Sequence, residues 1–260
     1  MHSSNELDID FLIATAREAG AAILDVYGTE FEVEEKSDSS PLTEADLRSH
    51  QIIVSRLEER YPDIPILSEE SGDNAAYEIR KDWSLYFLVD PLDGTKEFVK
   101  RNGQFTVNIA LMEDGVPVAG VVYAPDLDWM YFGSKDGSFK QEGTGEPVRL
   151  NPSNERGKEK IVIVGSRSHP SQELDDFVTQ MKSEYGEVEF VAMGSSLKLC
   201  TVAEGKADVY PRLGPTMEWD TAAAHAVVTH SGRRVLAWGE DGQDLPYNKP
   251  DLLNGWFVVR

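Results

Sequence analysis

The stretch Val89-Asp90-Pro91-Leu92-Asp93-Gly94-Thr95 decides how this chain is read. It follows Ser84–Val89, a short apolar run that reads as a buried strand. It leads into a short helix expected to begin near Thr95. Pro91 fixes φ in the turn, and Gly94 permits a positive φ. Asp90 and Asp93, three apart across that turn, can converge their carboxylates, and the Leu92 carbonyl can point the same way. Two carboxylates and a carbonyl form a hard oxygen set suited to Mg²⁺. The N–H groups of Gly94 and Thr95 lie at a helix start, where a phosphate oxygen is welcome. Taken alone, the stretch reads equally as an acidic turn whose Asp caps a helix.

Outward from this turn, the chain divides into two styles. Upstream, Ile9, Leu12, Ala16, Ala19, Ile23 and Tyr27 recur at helical spacing before Gly28. A second helix is expected from about Thr43 to Arg60, closed by Pro62, with Thr43-Glu44-Ala45-Asp46 as a capping box. Downstream, Phe105, Val107, Ile109 and Leu111 alternate with polar or small residues and read as a half-buried strand. Asp114-Gly115 is a hairpin turn, Val116–Tyr123 the returning strand, and Asp136-Gly137 a further turn of the meander. Past Gln141–Lys160, rich in Gly, Pro, Asn and charge, strands and helices alternate. Strands are expected at Ile161–Val164, Val188–Ala192, Ala207–Tyr210, Arg234–Ala237 and Trp256–Val259. Helices are expected at Ser171–Ser183, Ser195–Glu204 and Asp220–His230. Such alternation indicates a layered α/β unit. The expected organisation is an N-terminal α+β domain, residues 1–145, and a C-terminal α/β domain, residues 146–260.

Composition bounds the function. The 260 residues carry 46 Asp and Glu against 25 Lys and Arg, a net charge of −21. That acidity argues against nucleic-acid polymers and anionic membrane surfaces as partners, because both are polyanions. The apolar fraction of 40% supports a packed core rather than an acidic disordered tail. The run Val116 to Ala124 is broken by Pro117 and too short to span a bilayer, so no transmembrane segment is expected. Met1–Asp10 lacks the basic and apolar regions of a signal peptide. Cys200 is the one cysteine, so it has no internal disulfide partner and reads as a buried, inert thiol. A reducing cytoplasmic location follows, with peripheral attachment to the inner membrane as the alternative.

Other acids lie at element ends. Glu69 and Glu70 follow the apolar segment Ile64–Leu67, and Asp220 in Trp219-Asp220 precedes an Ala-rich helix. Singly these read as solvated acids or an N-cap. In order, however, Glu69-Glu70, Asp90–Thr95 and Trp219-Asp220 match the motif set of the inositol monophosphatase superfamily, Mg²⁺-dependent and lithium-sensitive phosphatases. The resemblance covers essentially the whole chain. The segments Asp90–Asn102, Phe105–Leu111, Gly165–His169, Gly194–Lys198, Val202–Gly205 and Tyr210–Asp220, with Lys36 and Ser40–Asp46, resemble the bacterial 3'(2'),5'-bisphosphate nucleotidases within it. One departure is Ala223-Ala224-His225, where that family usually has Ala-Gly-His; it removes no polar group.

The resemblance implies an α+β/α/β fold, a layered αβαβα sandwich like inositol monophosphatase and fructose-1,6-bisphosphatase, with an N-terminal antiparallel sheet and a C-terminal mixed sheet. It implies two to three Mg²⁺ ions. Glu69, Asp90 and the Leu92 carbonyl would hold the first, and Asp90, Asp93 and Asp220 the second. Glu69 would hold a weaker third, with Glu70 behind it. Glu69, Thr95 and Asp46 become the catalytic set, Thr95 accepting from the attacking water and Asp46 from the Thr95 hydroxyl. From the residues alone, Asp46 is equally a capping residue. Asp93, Gly94, Thr95, His169, Ser195, Lys198, Arg212 and Asp220 would meet the substrate. Without the resemblance, His169 reads as a surface-loop histidine and Lys198 as a solvated helix lysine. His225 and His230, five apart, suit joint metal binding poorly and read as structural.

The implied reaction is removal of the 3'-phosphate of adenosine 3',5'-bisphosphate, and of its 5'-phosphosulfate relative, by metal-activated water attack, with a role in sulfate assimilation. The implied partner is therefore a small nucleotide bisphosphate. An inositol monophosphatase or sugar bisphosphatase on the same scaffold is the enzyme alternative. A non-catalytic metal- or nucleotide-binding regulator is the alternative of another class. The oligomeric state stays open, with a monomer favoured.

Overall fold

A computed structural model of the chain describes residues 7–30, 33–35, 41–71, 76–152, 160–166, 172–239 and 242–260. The first half holds α1 (Ile9–Tyr27), β1 (Val33–Glu35), β2 (Pro41–Thr43), α2 (Glu44–Arg60), β3 (Ile66–Ser68), α3 (Tyr77–Arg80), β4 (Leu85–Asp93) and α4 (Thr95–Val99). It continues with β5 (Thr106–Glu113), β6 (Val116–Ala124), β7 (Trp129–Ser134), β8 (Gly137–Glu142) and β9 (Val148–Arg149). The second half holds β10 (Lys160–Gly165), α5 (Gln172–Tyr185), β11 (Glu187–Ala192), α6 (Leu197–Ala203), β12 (Tyr210–Arg212), α7 (Glu218–His230), β13 (Val235–Ala237) and β14 (Phe257–Val259).

Local signals set the first helices. Asp8 accepts from the Phe11 amide at 3.1 Å and caps α1. Thr43 and Asp46 form the capping box of α2 as expected. Both helices cover one face of a seven-stranded sheet of order β3-β4-β5-β6-β7-β8-β9. Its pairings are antiparallel except β3 with β4, which run parallel. The expected antiparallel sheet is therefore mixed. The connection between β3 and β4, which contains α3, is a crossover, and a crossover returns the chain in the same direction.

The Phe105–Leu111 strand departs from its half-buried reading, since every residue of β5 up to Met112 is buried. Phe87, Val89, Val107, Ile109 and Val121 pack with α1 and α2. The alternate set, Tyr86, Leu88, Ala110, Met112 and Val122, packs with α7. Helices on both faces leave no solvated side, so alternation in this strand separates two cores.

The approach of α7 is unusually close. Gly120 and Gly133 are cross-strand partners on β6 and β7. A Cβ at Gly120 would lie 2.3 Å from the Ala223 carbonyl oxygen, and one at Gly133 would lie 2.8 Å from Val227 Cα. The Ala-rich face of α7 (Ala222, Ala223, Ala224, Ala226) matches these glycines, and all four are buried. Ala224 fits among them without displacing a polar group.

Beyond α7 and α6 lie the remaining strands. β10 and β11 pair in parallel, β12-β14-β13 are antiparallel, and a parallel bridge from Ile163 to Val209 links the two ladders. The strand expected at Ala207–Tyr210 starts at Tyr210. Just before it, the Asp208 amide donates to the Val162 carbonyl at 2.8 Å and the Asp208 side chain accepts the Val162 amide at 2.7 Å. α5 covers the outer face through Phe177, Val178 and Met181. The layers run α1/α2, first sheet, α6/α7, second strands, α5: the αβαβα order.

Overpacking of this kind costs about 1–3 kcal/mol. Gly120→Ala is therefore expected to lower the melting temperature by roughly 2–10 °C for a chain of this size. Unchanged melting would mean that α7 does not sit on the sheet as described.

Candidate active site

The quoted turn ends β4. Ladder pairing with β5 shifts between Asp90 and Asp93, and Gly94 takes φ +90° before α4 begins at Thr95. A left-handed residue here is what lets the strand turn directly into the helix. Ser49 on α2 donates to the Pro91 carbonyl at 2.7 Å and ties the turn to the helix layer.

Asp90 is 1% exposed. Its Oδ1 accepts the Leu92 amide at 3.0 Å, while its Oδ2 is buried without a hydrogen-bond partner among the described residues. Glu69 follows β3, its amide donating to the Val89 carbonyl at 3.1 Å. Asp220 lies in the first turn of α7, where its Oδ2 accepts the Met217 amide at 2.9 Å. Three separate elements bring oxygens of Glu69, Asp90 and Asp220 within 4.8 Å of one another. Burial pushes the Asp90 and Asp220 carboxyls well above the usual range, and neighbouring negative charge adds to it: Glu69 then Asp93 for Asp90, Asp93 then Glu69 for Asp220. An all-oxygen, anionic set with an unpartnered buried oxygen fits a hard divalent cation.

Asp93 turns its Oδ2 toward the start of α6. It accepts from Ser195 Oγ at 2.6 Å, the Ser196 amide at 2.7 Å and Ser196 Oγ at 2.8 Å. Thr95 Oγ1 stands 3.3 Å from Asp46 Oδ1 and 3.4 Å from the Leu92 carbonyl. Asp46 is 1% exposed, and its other oxygen accepts the Thr43 amide at 2.8 Å and the Thr43 hydroxyl at 2.6 Å. Capping thus occupies one carboxylate oxygen of Asp46, and the other faces Thr95.

Glu69, Asp90, Asp93 and Asp220 share a cavity of about 680 Å³ with Ser195, Lys198, Arg212 and Leu174. Ser195 has φ +51°, and its carbonyl accepts from Lys198 Nζ at 2.6 Å. The solvated-lysine reading of Lys198 is corrected: it is 8% exposed, and burial lowers its ammonium pKa to about 8. Arg212 donates to the Pro215 carbonyl at 2.5 Å and keeps a buried Nε unpartnered among the described residues. Lys36, Ser40 and the Arg167–His169 part of its motif, with His169 itself, lie outside the described residues.

The start of α7 has its own anchor. Glu218, fully buried, accepts the Asn248 amide at 2.7 Å, the Lys249 amide at 3.1 Å and the Lys249 ammonium. Arg80, 2% exposed, donates to Asn248 Oδ1 at 2.8 Å and to the Lys249 and Pro250 carbonyls. His225 meets the Tyr247 hydroxyl at 3.0 Å and His230 the Val118 carbonyl at 2.9 Å, both away from the acids. Cys200 is buried, and burial raises its thiol well above the usual value.

Sequence reasoning assigned no task to Thr106 or Asn108, and read Ser196 only as part of a Gly194-Ser195-Ser196 phosphate seat at a helix start. Thr106 Oγ1 is 2.6 Å from Ser195 Oγ, and Asn108 Nδ2 donates to Ser196 Oγ at 2.8 Å. The available signal was two polar side chains in an otherwise apolar strand.

Residues 4–256 match the inositol monophosphatase family. The 3'(2'),5'-bisphosphate nucleotidase CysQ of Salmonella typhimurium is 47% identical over 248 residues, 94% of this chain and 96% of that one. CysQ of Escherichia coli strain K12 is 45% identical over 255 residues, 96% of this chain and 98% of that one. The crystal structure of CysQ from Bacteroides thetaiotaomicron, described as a bacterial member of the inositol monophosphatase family, superposes with a TM-score of 0.86 at 41% identity. That likeness covers 98% of each chain. Matching over nearly all of its length, in sequence and in fold, this chain belongs to the inositol monophosphatase family.

Proposed function

We propose that this protein is a metal-dependent 3'(2'),5'-bisphosphate nucleotidase that hydrolyses the 3'-phosphate of adenosine 3',5'-bisphosphate and acts also on its 5'-phosphosulfate relative. The observation that carries the chemistry is the cluster of buried Asp90 with half-buried Glu69 and Asp220, with its unpartnered Asp90 oxygen, in one cavity with Lys198 and Arg212. Acids suited to cations and basic groups suited to an anion fit a substrate with two phosphates. The names of the CysQ relatives supply the substrate class, a 3'(2'),5'-bisphosphate nucleotide, and the resemblance of the flanking motifs supplies adenosine as its base.

In this reading, Glu69, Asp90, Asp93, Asp220 and the Leu92 carbonyl hold two to three Mg²⁺ ions. Bound there, the cations neutralise phosphoryl charge and lower the pKa of the attacking water. The chain's own groups do the positioning. Thr95 donates its hydroxyl proton to Asp46 Oδ1, which leaves its lone pairs to accept from water and orient it. Gly94 and Thr95 amides, with Ser195, Lys198 and Arg212, donate to the phosphates, and Asp93, Asp220 and His169 complete the substrate contacts. Residues 1–145 then contribute the turn and most ligands, and residues 146–260 contribute Asp220 and the basic groups. We place the enzyme in the cytoplasm as a monomer with a small-molecule substrate. No helix among the described residues is long and apolar enough to cross a membrane.

Phosphate release should show a kcat/KM at least tenfold higher for adenosine 3',5'-bisphosphate than for inositol 1-phosphate; preference for the inositol ester would overturn the substrate assignment. Chelation of divalent ions should abolish turnover and Mg²⁺ restore it, with lithium inhibiting. Asp93→Asn is expected to lower kcat at least 100-fold, and near-normal activity would sink its role as a ligand.

The raised carboxyls of Asp90 and Asp220 give a pH prediction. Their folded pKa values exceed the unfolded ones, so the folded protein binds more protons above the ordinary carboxylate range. Their contribution to stability falls as pH rises through the raised values. Metal-free protein should therefore gain more thermal stability from Mg²⁺ at pH 8 than at pH 6, read as the melting-temperature shift. An equal gain at both would show that no proton competes with the ion.

A further inference from the structure

Ser196 has no task in the mechanism above. It immediately precedes α6 and is 2% exposed. Its Oγ lies 2.8 Å from Asp93 Oδ2, 2.7 Å from the Asp220 carbonyl oxygen and 2.8 Å from Asn108 Nδ2. Its amide also donates to Asp93 Oδ2 at 2.7 Å. Asn108 is fixed in turn by strand register, as the β5 residue directly opposite Asp90.

The proton inventory restricts what this hydroxyl does. A serine hydroxyl donates once and accepts twice. Two of its three neighbours, a carboxylate oxygen and a carbonyl, only accept. Asn108 must therefore present its amide nitrogen as a donor. The reversed amide would leave three acceptors around a single proton. Asn108 holds the hydroxyl so that its one proton serves Asp93 at the end of β4 or the Asp220 main chain in α7. Ser195 Oγ also reaches Asp93, at 2.6 Å, but its recorded bonds do not extend to α7. One atom, Ser196 Oγ, thus spans two acids that come from different halves of the chain.

We propose that Ser196 is a positioning residue whose amide holds the Asp93 carboxylate and whose hydroxyl, oriented by Asn108, shares its one proton between that carboxylate and the Asp220 carbonyl, keeping the two at a fixed separation, so that both acids are arranged for divalent cation before it arrives. This rests on the metal-site reading of the previous subsection. Partners that orient metal-binding side chains are typically worth 10–100-fold in metal affinity. A purely architectural serine would change thermal stability and leave metal affinity alone.

The test is calorimetric titration of Mg²⁺ into the full-length wild type, Ser196→Ala, Ser196→Thr and Asn108→Ala. It is paired with the Mg²⁺ concentration for half-maximal rate and with KM at saturating Mg²⁺. Ser196→Ala is expected to raise both Mg²⁺ values about 10-fold and to change KM less than about threefold. Ser196→Thr, which keeps the hydroxyl, should recover most of the affinity. Asn108→Ala, which frees the hydroxyl to rotate, should weaken Mg²⁺ binding severalfold. A folded Ser196→Ala protein that binds Mg²⁺ within twofold of wild type overturns the proposal and leaves the metal site standing. Should Ser196→Ala not fold, Asn108→Ala decides alone, and unchanged Mg²⁺ affinity there overturns it. A wild-type protein that binds no Mg²⁺ overturns the metal reading itself and the proposal with it.

Discussion

Mutual repulsion among Glu69, Asp90 and Asp220 is the constraint that the rest of the structure is arranged to withstand. At an effective dielectric of about 20, two unit charges at such a separation repel by about 3–4 kcal/mol. Side chains free to move would separate. Here each acid is anchored: Glu69 by its own amide at the exit of β3, Asp90 by a carboxylate oxygen that accepts the Leu92 amide, and Asp220 by a carboxylate oxygen that accepts the Met217 amide at the head of α7. Rigid elements on three sides keep the oxygens within 4.8 Å, and burial deepens the need for a cation.

The rigidity has identifiable sources. α7 is pressed onto the first sheet at two glycines, so the height of Asp220 above β4 is set by backbone contact. Its first turn is held by the buried Glu218 and by the segment that Arg80 clamps. The turn carrying Asp90 and Asp93 is held from the other face by Ser49, and from the second half of the chain by Ser195 and Ser196. Local bonds aim each functional acid, and elements far away in sequence hold the segments that carry Asp90, Asp93 and Asp220 in place. Asp46 is an economical case, because one carboxylate caps α2 and still faces Thr95.

Local chemistry was legible in the sequence and spatial coincidence was not. The capping box, the Asp-Gly turns and the Pro-x-x-Gly turn act over a few residues, so α2, the β5–β6 hairpin and the β4–α4 junction could be read directly. The same holds for the acids at element ends, whose grouping followed from motif order. Burial of β5 on both faces was hidden, because alternation looks the same whether the second face meets water or α7. Without the family resemblance Lys198 looks solvated for a related reason: nothing nearby in sequence says that its helix position will be buried beside the Tyr210 ring. Thr106 meets Ser195 and Asn108 meets Ser196 only through tertiary packing, and the polarity of Thr106 and Asn108 in an apolar strand was the one trace they left. The parallel entry of β3 likewise depends on a crossover that spacing does not encode.

The pairing of Gly120 and Gly133 also bears on the order in which the molecule is made. The seven strands of the first sheet come from residues 66–149, whereas the helix that covers the glycine face spans 218–230. During synthesis the sheet can form while that face is a shallow trough with no lid, and the residues that fill it emerge about 70 positions after its last strand. Asp90 likewise waits for Asp220. The complete cluster cannot exist before α7 has docked, so any cation that needs all three acids would act on a chain in which the first sheet is already covered. Assembly of the acidic cluster is in this way coupled to closure of the core.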